Sequence, residues 1–338
     1  MISFALLGAS GFAGGEVLRL AARHPELVPG ALFGDSQAGE ALGAVHPHLG
    51  ALWPDLRLER FAPELLNGVD VVFAALPHGH SQNLVDAVLE RDLPFVDLGA
   101  DFRLRDPHDY AQWYGEAHRR PELLGRFVYG LPERAREAIR AARLVAAPGC
   151  YPTAAILALG PLVDAGLIDP ATVTVDAISG VSGAGKALKP GSHFCAVDGA
   201  VAAYSLEGHR HTAEMEQTLG ARVLFTPHLA PLSRGLLATC TAAATRELAT
   251  EEPLDALRAA YADEPFVHAD AAAPSTKWVA GSNGARVTAR YDARSGRVCA
   301  VCAIDNLVKG AAGQMIQCAN LMLGLPETSG LPIAGLYP

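Results

Sequence analysis

Cys150 stands in Ala147-Pro148-Gly149-Cys150-Tyr151-Pro152-Thr153-Ala154, where a short apolar run gives way to a helical one. Pro152 falls in the first turn of that helix, where a missing N–H costs little. A helix N-terminus favours a thiolate, and the adjacent backbone N–H groups can hold an oxyanion, so the pattern fits a nucleophilic cysteine. An inert buried thiol is the alternative for any cysteine. The other five cysteines (195, 240, 299, 302, 318) read as core. Cys299 and Cys302 lie three apart in an apolar strand pattern, point to opposite faces, and have no second pair to complete a zinc site.

Two His-x-His pairs occur, His78-Gly79-His80 and His209-Arg210-His211, the latter followed by Glu214. His209 is a candidate general acid/base for Cys150; the alternative is a surface histidine beside Arg210. Paired histidines near an acid also raise a metal-dependent hydrolase as a second class of function. Against it, no further His/Asp/Glu cluster supplies a metal shell, so no metal ligands are assigned.

A third constellation opens the chain. An apolar run from Ile2 to Leu7 leads into Gly8-Ala9-Ser10-Gly11-Phe12-Ala13-Gly14-Gly15 and then a helical pattern, Glu16 to Arg23. Glycines at 8, 11 and 14 let the chain turn tightly and let backbone N–H groups approach a pyrophosphate at a helix N-terminus. The spacing is G-x-x-G-x-x-G, and the strand–loop–helix context carries the reading. Asp35 lies about twenty residues on, where a ribose-binding acid belongs. A carboxylate there favours NAD, whereas Ser36 and Gln37 suit a 2′-phosphate, so both cofactors stay open. Three segments could hold an anion: Arg103 in Asp97–Arg103, Ser179 and Ser182 in the Gly-rich Ser179–Lys186, and Asn306 in Asp305–Gly310. A plain turn or surface ion pair is the alternative for each.

Short apolar runs, Ile2–Leu7, Ala31–Phe33, Val69–Leu76, Phe95–Leu98 and Leu144–Ala146, predict strands covered on both faces. They alternate with helical patterns, the clearest being Ser81–Arg91 with Ser81 as N-cap, which implies a parallel α/β sheet. Beyond Pro148-Gly149 the pattern changes. Val173–Ile178, Arg222–Phe225, Leu236–Ala243, Arg286–Tyr291 and Val298–Ile304 read as a mostly antiparallel α+β domain, interrupted by one helix near Leu254–Tyr261 with Thr250 as N-cap. A last helix, Ala312–Leu323, carries Met315, Ile316, Ala319, Met322 and Leu323 on one face. The division is residues 1–148 with 312–338 as a dinucleotide-binding domain, and 149–311 as a catalytic and oligomerisation domain.

Composition bounds the partners. Half of the 338 residues are hydrophobic and 19% are charged, which describes a chain with a sizeable core. A net charge of −9 argues against nucleic acid or an anionic membrane surface as partner. No apolar run approaches a transmembrane length, no secretory leader is evident, and sparse cysteines fit a reducing compartment, so a cytoplasmic setting is expected.

Several of these segments together resemble the N-acetyl-gamma-glutamyl-phosphate reductase family. They are Gly8–Glu16, Ala75-Leu76-Pro77-His78-Gly79, Ala100-Asp101-Phe102-Arg103, Pro148–Thr153, Ser179–Gly185, Gly208–Glu214 and Ala303–Gly310, in family order over nearly the whole chain. The resemblance implies reductive dephosphorylation of an acyl phosphate in arginine biosynthesis by an NADP-dependent homo-oligomer. Its fold would be a Rossmann domain plus an α+β domain of the semialdehyde and glyceraldehyde-phosphate dehydrogenase type. It implies Cys150 as nucleophile, His209 as acid/base, and Arg103, Ser179, Ser182 and His211 as substrate contacts. The cofactor would meet Gly8–Gly14, Ser36, Pro77, Gly183 and Asn306. Asp35 departs from the small neutral or basic residue of that family and keeps NAD open. A related reductase, acting on carrier-protein-linked aminoadipyl phosphate in lysine biosynthesis, differs after the cysteine, where this chain has Tyr151-Pro152.

Overall fold

In the computed structural model, which describes residues 1–337, the apolar runs become strands because each is covered on both faces or one. The strands are β1 (Ile2–Leu7), β2 (Leu27–Phe33), β3 (Val71–Ala74), β4 (Phe95–Asp97), β5 (Val128–Tyr129), β6 (Leu144–Ala146), β7 (Val173–Gly180), β8 (Ala202–Ala203), β9 (Val223–Ala230), β10 (Leu236–Ala243), β11 (Val267–Ala269), β12 (Ala285–Asp292) and β13 (Arg297–Ile304). The helices are α1 (Phe12–Ala21), α2 (Leu42–Val45), α3 (Ser81–Leu89), α4 (Pro107–Tyr114), α5 (Pro132–Ala141), α6 (Cys150–Asp164), α7 (Phe194–Val197), α8 (His211–Leu219), α9 (Glu252–Ala260) and α10 (Gly313–Met322). The chain divides into two compact units. Residues 1–111, 116–148 and 311–331 form the first, and residues 112–115, 149–310 and 332 onward form the second.

The first unit holds a six-stranded sheet in the order β2-β1-β3-β4-β6-β5, parallel throughout. β5 has two residues, too few to show any periodicity in sequence. Helix α1 begins at Phe12 rather than at Glu16, so the glycine loop passes directly into its first turn. Ser81 is not a cap: it is the first residue of α3, and its Oγ donates to Asp97. The N-terminal amides of α3 instead find Asp101, whose carboxylate accepts from Gly79 (2.5 Å) and Gln82 (3.2 Å). Helix α10 departs most from its expected pattern. Gln314, Gln317 and Asn320 are fully buried, while Met322 and Leu323 are only half-buried. Buried amides need partners. Gln314 donates to Gly130 O (2.7 Å), and Asn320 donates to Glu327 O and Ser329 O.

Asp97, the last residue of β4, has no exposure. Its Oδ1 accepts from Ser81 Oγ (2.8 Å) and Gly99 N (2.7 Å), while Oδ2 accepts from no described residue. Burial, reinforced by the neighbouring Asp101, pushes this carboxyl up to about 7, against the pull of Ser81, Gly99 and Arg103. A folded-state pKa above the unfolded one means that the native state holds the extra proton between about pH 4 and 7. Its stabilising contribution is therefore complete below the unfolded pKa and is lost as pH rises through 7. Urea unfolding of Asp97→Asn at pH 5 and pH 8 should show the variant gaining about 2 kcal/mol relative to the parent between those two values. A difference that does not change with pH would refute the assignment.

In the second unit a seven-stranded sheet runs β11-β12-β13-β10-β7-β9-β8. It is mostly antiparallel, as expected: four of its six pairs are antiparallel, and β7 with β9 and β11 with β12 are parallel. One face presents Val175, Ala177, Ala238, Cys240, Ala300 and Cys302, all buried. Small side chains there let α6 lie close to the strands, and α6 is itself buried from Tyr151 to Leu162. Tyr261 ties the end of α9 to α6 by donating from its hydroxyl to Leu157 O (2.7 Å). The α9 cap is Glu251, without a side-chain bond, and not Thr250. Of the five cysteines expected in the core, Cys240, Cys302 and Cys318 are buried, but Cys195 is exposed and Cys299 half-buried on the opposite face from Cys302. Period-two alternation explains Cys299; Cys195 lies on the short, exposed α7.

Candidate active site

Cys150 is the first residue of α6, with Gly149 as an extended N-cap. The cap carries no side chain of its own, so the turn is held by others. Gly149 O accepts from Thr153 N (3.0 Å) and Thr153 Oγ1 (2.9 Å), and Gly149 N donates to Glu214 Oε2 (3.0 Å). A β-carbon at Gly149 would lie 2.4 Å from His211 Nε2, and one at Gly310 would lie 2.7 Å from Cys150 Cβ. Glycine at these two positions is what allows an imidazole and a second backbone segment to close around Cys150. The second segment is a π-turn, Val308–Ala312, an irregularity found mostly at functional sites.

His209 and His211 stand side by side, with ring centroids 4.7 Å apart, in unlike surroundings. His209 packs edge-on against Tyr151, Tyr204 and Phe225, and its Nδ1 accepts from His211 N (3.1 Å). Burial, with the nearby Arg210, lowers its pKa to about 4. At neutral pH it is therefore an uncharged imidazole with its proton on Nε2, a hydrogen-bond donor. His211 lies at the start of α8, and its Nε2 is 3.8 Å from Glu214 Oε1 one turn on. Glu214 has no exposure. One buried carboxylate thus bears on both the imidazole beside Gly149 and the amide preceding Cys150. Its signal in sequence was the i, i+3 spacing from His211, which reads equally as a metal motif.

The hydroxyl loop joins this group. Ser179 is buried and Ser182 half-buried, and Asn306 bridges inward by donating from Nδ2 to Ser182 Oγ (2.9 Å) while accepting from Gly235 N (2.7 Å). The second unit therefore brings together Cys150, His209, His211, Ser179, Ser182, Gly183 and Asn306. Tyr151, unassigned from sequence, lines the same place, accepting from Tyr204 Oη (3.2 Å) and donating to His228 O (3.1 Å). Burial raises both phenols, Tyr204 to about 12, so they stay protonated.

Arg103 belongs to the first unit. It is 6% exposed, and its Nη2 donates to Leu98 O (2.6 Å). There it offsets the Asp97–Asp101 pair. The glycine loop is in the same unit. Gly8 has φ +83°, and β-carbons at Gly8 and Gly14 would lie 2.4 Å from Ala75 O and 2.3 Å from Gly8 O. The loop is folded as tightly as a pyrophosphate cradle requires, and the first turn of α1 has neither a side-chain cap nor an acidic residue. The residues present therefore fit a dinucleotide. His46 supports the loop, with Nε2 2.8 Å from Ala9 O, and fills the space beside Gly15. Nothing local in sequence announces that contact. Asp35 and Ser36 follow β2 and are exposed, as is Pro77 after β3. Among the described residues no group of three His, Cys, Asp or Glu side chains gathers as metal ligands, and no helix is long and apolar enough to cross a membrane.

Comparison with known proteins matches residues 3–142 to the semialdehyde dehydrogenase NAD-binding domain and residues 150–306 to the semialdehyde dehydrogenase dimerisation domain. The fold resembles aspartate semialdehyde dehydrogenase II from Vibrio cholerae, with TM-score 0.70, 18% identity, and 96% and 99% of the two chains covered. It also resembles the Candida albicans aspartate semialdehyde dehydrogenase with NADP, with TM-score 0.72, 16% identity, and 96% and 98% covered. Sequence relatives are far closer. N-acetyl-gamma-glutamyl-phosphate reductase of Streptomyces coelicolor is 50% identical over 99% of this chain and 98% of its own. That of Moorella thermoacetica is 46% identical over the full length of both. With identity of this order end to end, and both semialdehyde dehydrogenase domains matched, the chain belongs to the N-acetyl-gamma-glutamyl-phosphate reductase family.

Proposed function

We infer that the chain catalyses reductive dephosphorylation of N-acetyl-L-glutamyl 5-phosphate to the 5-semialdehyde, in the cytoplasmic synthesis of arginine, as a homo-oligomeric dimer or tetramer. The observation that carries this reading is Cys150 on the N-terminus of α6, with His211 and Glu214 closed against Gly149. Cys150 attacks the acyl carbon as thiolate, its own N–H and the helix terminus receiving the oxyanion. The carbon–oxygen bond to phosphate breaks and a thioester remains on Cys150. Bound NADPH supplies the hydride that reduces this thioester. The resulting thiohemiacetal collapses, returning its electron pair to sulfur and releasing the aldehyde.

Proton transfer in these steps is assigned to His211, and substrate contact to His209, the reverse of the roles that the resemblance implied. An imidazole with a pKa near 4 is a weak base and is scarcely ever protonated at neutral pH, whereas His211 has a buried carboxylate behind it. Glu214 is a positioning residue that holds both the ring and the Gly149 turn. Ser179 and Ser182 contact the substrate. On the first unit, Gly8–Gly14, Ser36 and Pro77 hold the cofactor.

Oxidation of N-acetyl-glutamate semialdehyde, followed as cofactor reduction with and without inorganic phosphate, tests the reading. Turnover should require phosphate and run roughly tenfold or more faster with NADP than with NAD, a difference of about 1.4 kcal/mol. Preference for NAD would assign Asp35 to the ribose hydroxyls. Phosphate-independent oxidation, or turnover only with an aminoadipate-derived semialdehyde, would overturn the function.

A further inference from the structure

The Ser233–Gly235 turn leads into β10, and Gly235 takes a φ of +110°. It is bound to the hydroxyl loop from two sides. Gly180 N donates to Gly235 O (2.9 Å), and Gly235 N donates to Asn306 Oδ1, whose amide reaches Ser182. A β-carbon at Gly180 would lie 3.0 Å from Arg234 Cα, so the backbone of Arg234 rests on that loop. The Arg234 side chain, a quarter exposed, runs to Asp305, with Nε 3.4 Å from Oδ2.

Asp305 has no exposure and is itself fixed by backbone amides. Its Oδ2 accepts from Gly281 N (2.6 Å), and its Oδ1 accepts from Leu307 N (2.9 Å) and Val308 N (3.2 Å). From Asp305 the path to the nucleophile is short. Its carbonyl accepts from Gly310 N (3.0 Å), and Gly310 is the residue packed on Cys150 Cβ. A rigid carboxylate thus holds an arginine whose backbone rests on the hydroxyl loop, and the backbone of that same Asp305 is one packed residue from Cys150.

We propose that Arg234 grips the phosphate group of the substrate, with Asp305 positioning its guanidinium. Arginine matches a phosphate by paired N–H donors, and a chain of net charge −9 has no diffuse positive field to hold a dianion. The cation must be local. This inference rests on the function proposed above.

In the oxidative direction the two anionic parts of the product arrive separately, as inorganic phosphate and as a semialdehyde bearing the carboxylate. Arg234→Met should raise KM for phosphate about tenfold to a hundredfold, the range of a lost charged hydrogen-bond pair, with KM for semialdehyde and NADP within about twofold. Arg234→Lys, which keeps the charge but not the fork, should raise it several-fold. An unchanged phosphate KM in either folded variant, or an increase confined to the semialdehyde, would overturn the proposal. Circular dichroism establishes folding, and if Arg234→Met does not fold, Arg234→Lys decides. Absence of phosphate-dependent turnover in the parent enzyme would instead reject the function, so the two failures are distinct.

Discussion

Replacing Cys150 by serine should lower kcat by about 10⁴-fold or more in either direction, since a serine hydroxyl at a site built for a thiolate is a far poorer nucleophile and leaving group. The substitution keeps the β-carbon on which Gly310 rests, so folding should be little affected. Thermal unfolding within a few degrees of the parent checks that point. Alkylation gives an independent reading. Iodoacetamide at neutral pH should inactivate the parent with one equivalent incorporated per chain, and acyl phosphate should protect. Cys195 is exposed and would also be labelled, so the count belongs in a Cys195→Ser background. A Cys150→Ser enzyme that turns over at the parental rate would end the covalent scheme.

The second large effect concerns the histidines. His211→Asn should cost about 10³-fold in kcat and Glu214→Gln about 10²-fold, within the span typical of general acid/base groups and their partners. Gln keeps an acceptor for Gly149 N–H but removes the charge near His211. Its effect should therefore appear chiefly in kcat and in the position of the pH–rate limb near neutrality. His209 titrates around 4 and is neutral above it, so it cannot be the source of a limb near pH 6 to 7. His209→Asn should leave that limb in place and act mainly on KM, by roughly tenfold, as for one lost hydrogen bond to a charged ligand. Loss of the limb in His209→Asn with its retention in His211→Asn would return the acid/base role to His209.

Cys150 and the glycine loop stand out in the sequence because the pattern that marks each is written in consecutive residues. A helix start, a proline in the first turn and a flanking glycine are local, and so is a strand running into closely spaced glycines. Arg234 has no such local sign, and the i, i+3 spacing that marks Glu214 beside His211 says nothing of its reach to Gly149. Glu214 acts on Gly149 across 65 positions, and Arg234 on Asp305 across 71. Arg103 is likewise read from a local pattern, an arginine after a buried strand; that it donates to Leu98 O and lies near Asp97 is visible only in the fold.

The sequence by itself determined most of the element types, the change of pattern near residue 148 and the singling out of Cys150 among six cysteines, because these follow from periodicity and from residues adjacent in the chain. Tertiary structure alone decided which polar groups are buried together. Burial sets the charge of Asp97 and of His209, and a desolvation cost depends on every segment that covers the group, not on the residue carrying it. For the same reason the two histidines, identical in sequence terms and two positions apart, part company only in the fold. One is enclosed by aromatic rings; the other is backed by a buried carboxylate.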